Sequence, residues 1–202
     1  MLKSIFAGLL VFAASQVAAQ EEPAPYYDIQ SPPFYLTLKS LNTTLDGLYL
    51  TACHEGAAIE SLCLSQPFTT NFTYAHFYYN TSSSENSSTS GLLTWILPAV
   101  GLNVSSSLRL NYNNASNVAL PLLFPGDEGA ALVNFTAENQ LGINLVQDDT
   151  LPLPNDFQHT IFRWFICITR YGYLYQTLNW VLGNQSPQSP TCESVAVYRV
   201  WA

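Results

Sequence analysis

The chain has 202 residues, of which only 10% are charged and 48% are hydrophobic, and its formal net charge is −8. Fourteen acidic against six basic side chains disfavour binding to nucleic acid or an anionic membrane by counterion release, so no nucleic-acid partner is expected. The length suits one domain, and a surface so poor in charge must draw its solubility from Asn, Ser, Thr and attached sugars.

Lys3, the apolar run 5–14 and Val17-Ala18-Ala19 have the three parts of a secretion signal, which predicts a signal peptide over 1–19 cleaved after Ala19. That run is shorter than the ~20 residues needed to cross a bilayer, no other stretch approaches that length, and no membrane span is expected in the mature chain. An extracellular protein follows. Residues 20–33 hold Pro23, Pro25, Pro32 and Pro33 around Tyr26-Tyr27 and read as an extended lead-in, leaving 34–202 as a single β domain.

From Phe34 onward the apolar positions follow a period of two. Phe34, Leu36 and Leu38 fall on one face and Tyr35, Thr37 and Lys39 on the other, which predicts a strand. Asp46-Gly47 is a hairpin turn signal leading into a second strand with Leu48, Leu50 and Ala52 in phase. His54-Glu55-Gly56 begins the next turn. Residues 80–90 contain no apolar side chain and must form an exposed loop. Leu108, Leu110 and Tyr112 alternate with Ser107, Arg109 and Asn111. Phe162, Trp164, Ile166 and Ile168 belong to a strand with apolar residues on both faces, expected to lie centrally with Arg163 near an end or paired. Leu93-Thr94-Trp95-Ile96-Leu97 and Leu178-Asn179-Trp180-Val181-Leu182 share one pattern, as expected of two strands that each fill a core with Trp. Pro121, Pro125, Pro152, Pro154, Pro187 and Pro190 leave no room for long helices. About ten to twelve short strands predict an all-β fold, an antiparallel two-sheet β-sandwich of jelly-roll type, with a β-trefoil as the alternative.

Four cysteines behind a signal peptide predict two disulfides, with three connectivities possible. The segments between Cys53 and Cys63 and between Cys167 and Cys192 can each turn back on themselves, which favours those two pairs. Eight N-x-Ser/Thr sites, Asn42, Asn71, Asn80, Asn86, Asn103, Asn114, Asn134 and Asn184, compare with roughly 2.6 for a shuffled chain of this composition, so a glycan-bearing surface is expected. Asn71, Asn103 and Asn134 have apolar neighbours, and Asn184 is close to Pro187.

Catalytic signatures are missing. His54-Glu55 opens like the zinc motif H-E-x-x-H, but position 58 is Ala. Neither a G-x-S-x-G elbow nor a Gly-rich phosphate loop occurs, and no cofactor or metal is expected. Glu55, Glu60, Asp127, Glu128, Asp148 and Asp149 are the acids from which a glycoside-cleaving pair would be drawn. Tyr78, Tyr79, Tyr112, Tyr173 and Tyr175, with Tyr26 and Tyr27, border loops or alternate with core positions. They are the rings expected to be exposed for stacking on sugars.

Residues 45–58, L-D-G-L-Y-L-T-A-C-H-E-G-A-A, and 173–183, Y-L-Y-Q-T-L-N-W-V-L-G, with the closing strand after Cys192, resemble uncharacterised secreted proteins of filamentous fungi. The resemblance implies a secreted fungal source and transfers no functional residue. Taken together, a secreted, N-glycosylated β-rich protein is expected, binding polysaccharide or cell-wall glycans or acting as an interaction protein in wall or matrix. Two alternatives stand beside it. One is a carboxylate-dependent glycoside-processing enzyme, and the other is a secreted fungal protein that meets a host or microbe through a glycan-free apolar or Tyr patch.

Overall fold

Alternating apolar positions become strands along the whole of the described chain. The computed structural model describes residues 27–66, 73–84, 90–145, 147, 151–152 and 159–202. The expected signal peptide, Tyr26, Asn71, Asn86, Asp148 and Asp149 lie outside them. The strands are β1 (Ile29–Gln30), β2 (Phe34–Lys39), β3 (Tyr49–Gly56), β4 (Ile59–Ser65), β5 (Phe77–Thr81), β6 (Gly91–Ala99), β7 (Leu102–Asn111), β8 (Val118–Pro125), β9 (Leu132–Phe135), β10 (Leu141–Leu145), β11 (His159–Ile161), β12 (Trp164–Arg170), β13 (Leu174–Val181), β14 (Glu193–Ser194) and β15 (Ala196–Trp201).

The expected sandwich and its trefoil alternative are both wrong. Eight antiparallel strands run in the order β2-β3-β4-β13-β8-β7-β6-β5, and β5 pairs with β2 as well as β6, which closes the sheet into a barrel. The closing contacts are Phe34 opposite Phe77 and Phe77 opposite Trp95. Inward and outward positions alternate identically in a sandwich and a barrel, so periodicity cannot distinguish the two. The deciding strand, β5, buries only Phe77 fully and shows almost no alternation.

The barrel interior takes the residues that the alternation selects: Phe34, Leu36 and Leu38 from β2, Leu50 from β3, Leu62 from β4, Phe77, then Leu93 and Trp95 from β6. Each such side chain contributes about 1.5–3 kcal/mol by leaving water. The two Trp-bearing strands behave as the shared pattern predicts, with Trp95 and Trp180 both buried. Trp164 packs edge-on to Trp180 at 4.7 Å, and its Nε1 donates to the Leu141 carbonyl.

Asp46-Gly47 forms the expected turn. Gly47 has φ +77°, where a side chain would be strained, and Thr37 pairs with Tyr49 across the hairpin. Both disulfides are as expected, Cys53–Cys63 between β3 and β4 and Cys167–Cys192 between β12 and the segment before β14. The Phe162 strand is central only in its first half. Trp164 and Ile166 are buried between β13 and β14, whereas Ile168 is half exposed and Phe162 lies before the strand. Arg163 is paired, its Nε donating to the Val181 carbonyl.

Outside the barrel, β9, β10 and β11 continue from β6, and β15 lies along β2. Arg199 fastens the two flanks together. Its Nε and Nη2 donate to Asn139 Oδ1, and its guanidinium lies 4.3 Å from the ring centroids of both Phe135 and Trp201.

Candidate functional site

The β12–β13 hairpin reaches across the end of β3 and β4, and a carboxylate is buried where they meet. The β3–β4 pairing slips between His54 and Gly56, and this bulge sets Glu55 apart from the regular alternation. Glu55 is 3% exposed. A carboxylate so placed needs donors on both oxygens. Its Oε1 accepts the Ser61 hydroxyl at 2.9 Å, and its Oε2 accepts the backbone amides of Gly172 and Tyr173 at 2.9 and 3.0 Å. The hairpin tip therefore hangs on one side chain more than a hundred residues away in sequence. Close approach also requires glycine at 172, because a Cβ there would stand 1.8 Å from the Glu55 carbonyl oxygen.

This clamp fixes the backbone beneath an aromatic surface. Tyr173 is 51% exposed, its ring lies 5.9 Å from that of Tyr175 at an interplanar angle of 35°, and the His54 ring stands 5.9 Å away on the other contact. Tyr171, Leu174 and Ile168 are exposed on the same hairpin. Below the rings, the hydroxyls of Thr169 and Thr177 bond each other at 2.6 Å, and Thr177 is fully buried.

Glu60, the second acid of the region, is also buried. Its Oε1 lies 3.4 Å from His54 Nδ1. Desolvation pushes its carboxyl above the ordinary value, opposed by the His54 hydrogen bond and charge. Of the other expected acids, Asp127 and Glu128 are solvent-exposed in a turn.

The tyrosines expected to bind a ligand separate into two kinds. Tyr173 and Tyr175 come together at the hairpin tip, and Tyr112 is exposed just beyond β7. Tyr78 and Tyr79 sit on β5, both half-buried. Tyr79 serves the core: its hydroxyl donates to the Val133 carbonyl, its ring meets Phe135 edge-on, and burial raises its hydroxyl to about 12. Gly172 and Ser61, which the sequence reading did not single out, complete the clamp. The triplet Tyr171-Gly172-Tyr173 signals a turn but not its partner.

Six of the eight N-x-Ser/Thr asparagines fall within the described residues. Asn103, Asn114 and Asn184 are exposed, and Asn42 and Asn80 are half-buried. Asn134 is buried, and its Nδ2 donates to Thr160 Oγ1 at 2.6 Å.

A family model described as a domain of unknown function, DUF7907, matches residues 31–201. The chain belongs to this family. No curated protein and no solved structure matches it. The DUF7907 match spans the barrel and both of its flanks, beginning just before β2 and ending on the last residue of β15. Among the described residues of this DUF7907 chain, no helix is long and apolar enough to cross a membrane.

Proposed function

We propose that this is a secreted, N-glycosylated fungal protein that binds carbohydrate of a cell wall or matrix, with Tyr173 and Tyr175 as the stacking platform and His54 as a polar contact at its edge. One observation carries this reading: a buried carboxylate, Glu55, is used to immobilise the backbone under an exposed ring. Nothing in core packing requires an ordered tyrosine at a solvent-exposed hairpin tip. A rigid ring loses little entropy on binding a flat sugar face. Two disulfides, a run of acceptor sites and the signal-like leader support the extracellular setting. The test is retention of the secreted chain on insoluble chitin, glucan and mannan. Retention on at least one is expected, with Tyr173→Ala weakening it about tenfold, equivalent to about 1.4 kcal/mol. Absence of retention on all three would refute it.

Glu60 favours a second reading. A buried carboxyl with a raised proton affinity beside His54 has the character of a general acid, as in a glycoside-processing enzyme. Against this, both oxygens of the neighbouring acid Glu55 are already engaged, Oε1 by the Ser61 hydroxyl and Oε2 by the hairpin amides. Turnover of an oligosaccharide panel that vanishes in Glu60→Gln would establish the enzyme, and a panel without turnover rejects it.

A further inference from the structure

A groove of about 730 Å³ lies between the turn after β2 and the β14 segment, lined among others by Lys39, Leu41, Asn42, Phe162 and Glu193. Its volume is within the roughly 300–1,000 Å³ typical of small-molecule sites. Asn42 stands out among the described acceptor asparagines because its amide nitrogen faces a neighbour inside this groove, donating to Glu193 Oε2. Its Oδ1 is held by the amide of Thr44 at 2.9 Å and the hydroxyl of Thr44 at 2.8 Å, so the acceptor and the third residue of its N-x-Thr site are locked together in an Asx turn. Phe162 and Leu41 meanwhile leave apolar surface open, 40% and 104% exposed.

We propose that the groove is the seat of the protein's own glycan: the first sugar attached to Asn42 Nδ2 packs against Phe162 between the β2–β3 turn and β14. This rests on the secretory reading given above, since attachment needs an oligosaccharide carried on a polyprenyl pyrophosphate. In the transfer, a bond forms between Nδ2 and the sugar C1. The C1–oxygen bond to the pyrophosphate breaks with its electron pair left on oxygen, and the proton given up by Nδ2 goes to the departing lipid pyrophosphate. Because Nδ2 starts with two protons, the linked nitrogen keeps one N–H with which to donate to Glu193. Both Thr44 bonds go to Oδ1 and are untouched. The sugar's hydroxyl and acetamido groups meet Lys39 and Glu193, and its apolar face meets Phe162. Asn42 is thus modified without loss of the hydrogen bonds that shape its turn. Asn103 and Asn114 offer no such cradle and carry solvent-facing glycans, while Asn134 is buried, leaves no room for a sugar and remains bare.

The experiment uses the full chain secreted from a eukaryotic host. Glycopeptide mass spectrometry measures occupancy, and timed digestion of the native protein with an amidase that cleaves the Asn–sugar bond measures release at each site. Asn42 should be occupied and released at least about tenfold more slowly than Asn103 or Asn114, with the difference abolished by Phe162→Ala and by denaturation. An unoccupied Asn42 beside occupied Asn103 and Asn114, or equal release rates, overturns the proposal while leaving the secretory reading intact. A chain that is not secreted, or is bare at every site, overturns both.

Discussion

Replacing Glu55 should detach the β12–β13 tip from the barrel while the barrel itself survives. Glu55→Ala removes three charge-assisted hydrogen bonds, each worth about 1.5–3 kcal/mol when its donor stays dry. The Ser61 hydroxyl can turn to Cys53 Sγ, 2.9 Å away, and the two tip amides can reach water if the hairpin lifts. The net cost is therefore nearer the two amide bonds, about 3–5 kcal/mol. For a domain of this size that is a fall in Tm of roughly 10 °C. Glu55→Gln keeps a carbonyl oxygen for the amides and turns its NH2 toward Ser61, so it loses only the charge assistance, about 1 kcal/mol. Denaturant unfolding separates the two variants, and hydrogen exchange locates the effect: the amides of Gly172 and Tyr173 should exchange at least about tenfold faster in Glu55→Ala, with the β6–β7 amides unchanged. Glycan retention should fall with Glu55→Ala and persist with Glu55→Gln. If Glu55→Ala is within about 0.5 kcal/mol of the parent, or if the tip amides stay protected, the carboxylate does not hold the hairpin.

Gly172→Ala drives a methyl group into the Glu55 carbonyl and should cost about 1–3 kcal/mol by calorimetry; an unchanged Tm would show that the tip can shift freely. Breaking the Cys53–Cys63 link with a double Ala variant reopens a ten-residue separation, and loop entropy sets the loss in chemical denaturation at about 2.7 kcal/mol, against about 3.5 kcal/mol for the Cys167–Cys192 separation of 25. The reverse ranking would contradict the entropic account. Because burial raises the proton affinity of Glu60, its contribution is fully present below the ordinary value of 4.5 and lost as pH climbs through the folded-state value. Glu60→Gln should thus improve relative to the parent between pH 4 and pH 7 in urea unfolding, and a pH-independent difference would count against a desolvated carboxyl. Tyr79, with its hydroxyl at about 12, should stay protonated in ultraviolet titration after the exposed tyrosines have ionised; stability should decline as pH rises from about 10 through 12, and by less in Tyr79→Phe.

What could be read from the letters is what depends on neighbours along the chain. The Asp46-Gly47 turn needs only one left-handed glycine, and the face of β2 is set by the spacing of Phe34, Leu36 and Leu38. The ten-residue separation of Cys53 and Cys63 is that of the single β3–β4 hairpin, and the 25-residue separation of Cys167 and Cys192 spans β13 and one return to β12, so both pairings stay local in sequence. Closure of the sheet is different in kind. It rests on β5, whose weak alternation does not reveal that Phe77 pairs with two strands at once, one about forty positions earlier and one about twenty later.

The candidate site was half legible for the same reason. Tyr175 is on β13 and Tyr173 stands in the bend just before it, two positions away, so extending the strand's period of two by one residue suggests a shared side, whereas Tyr78 and Tyr79 could not be told from surface rings without knowing that Val133 and Phe135 cover the latter. Glu55 reads as a turn carboxylate because two of its three donors are backbone amides 117 and 118 residues away, which no side-chain pattern records. A buried acid bonded to amides is invisible to motif reasoning yet makes a sharp local demand in this fold: it draws the hairpin so close to the Glu55 backbone that only glycine fits at 172, and it anchors the backbone that carries Tyr173 beside Tyr175.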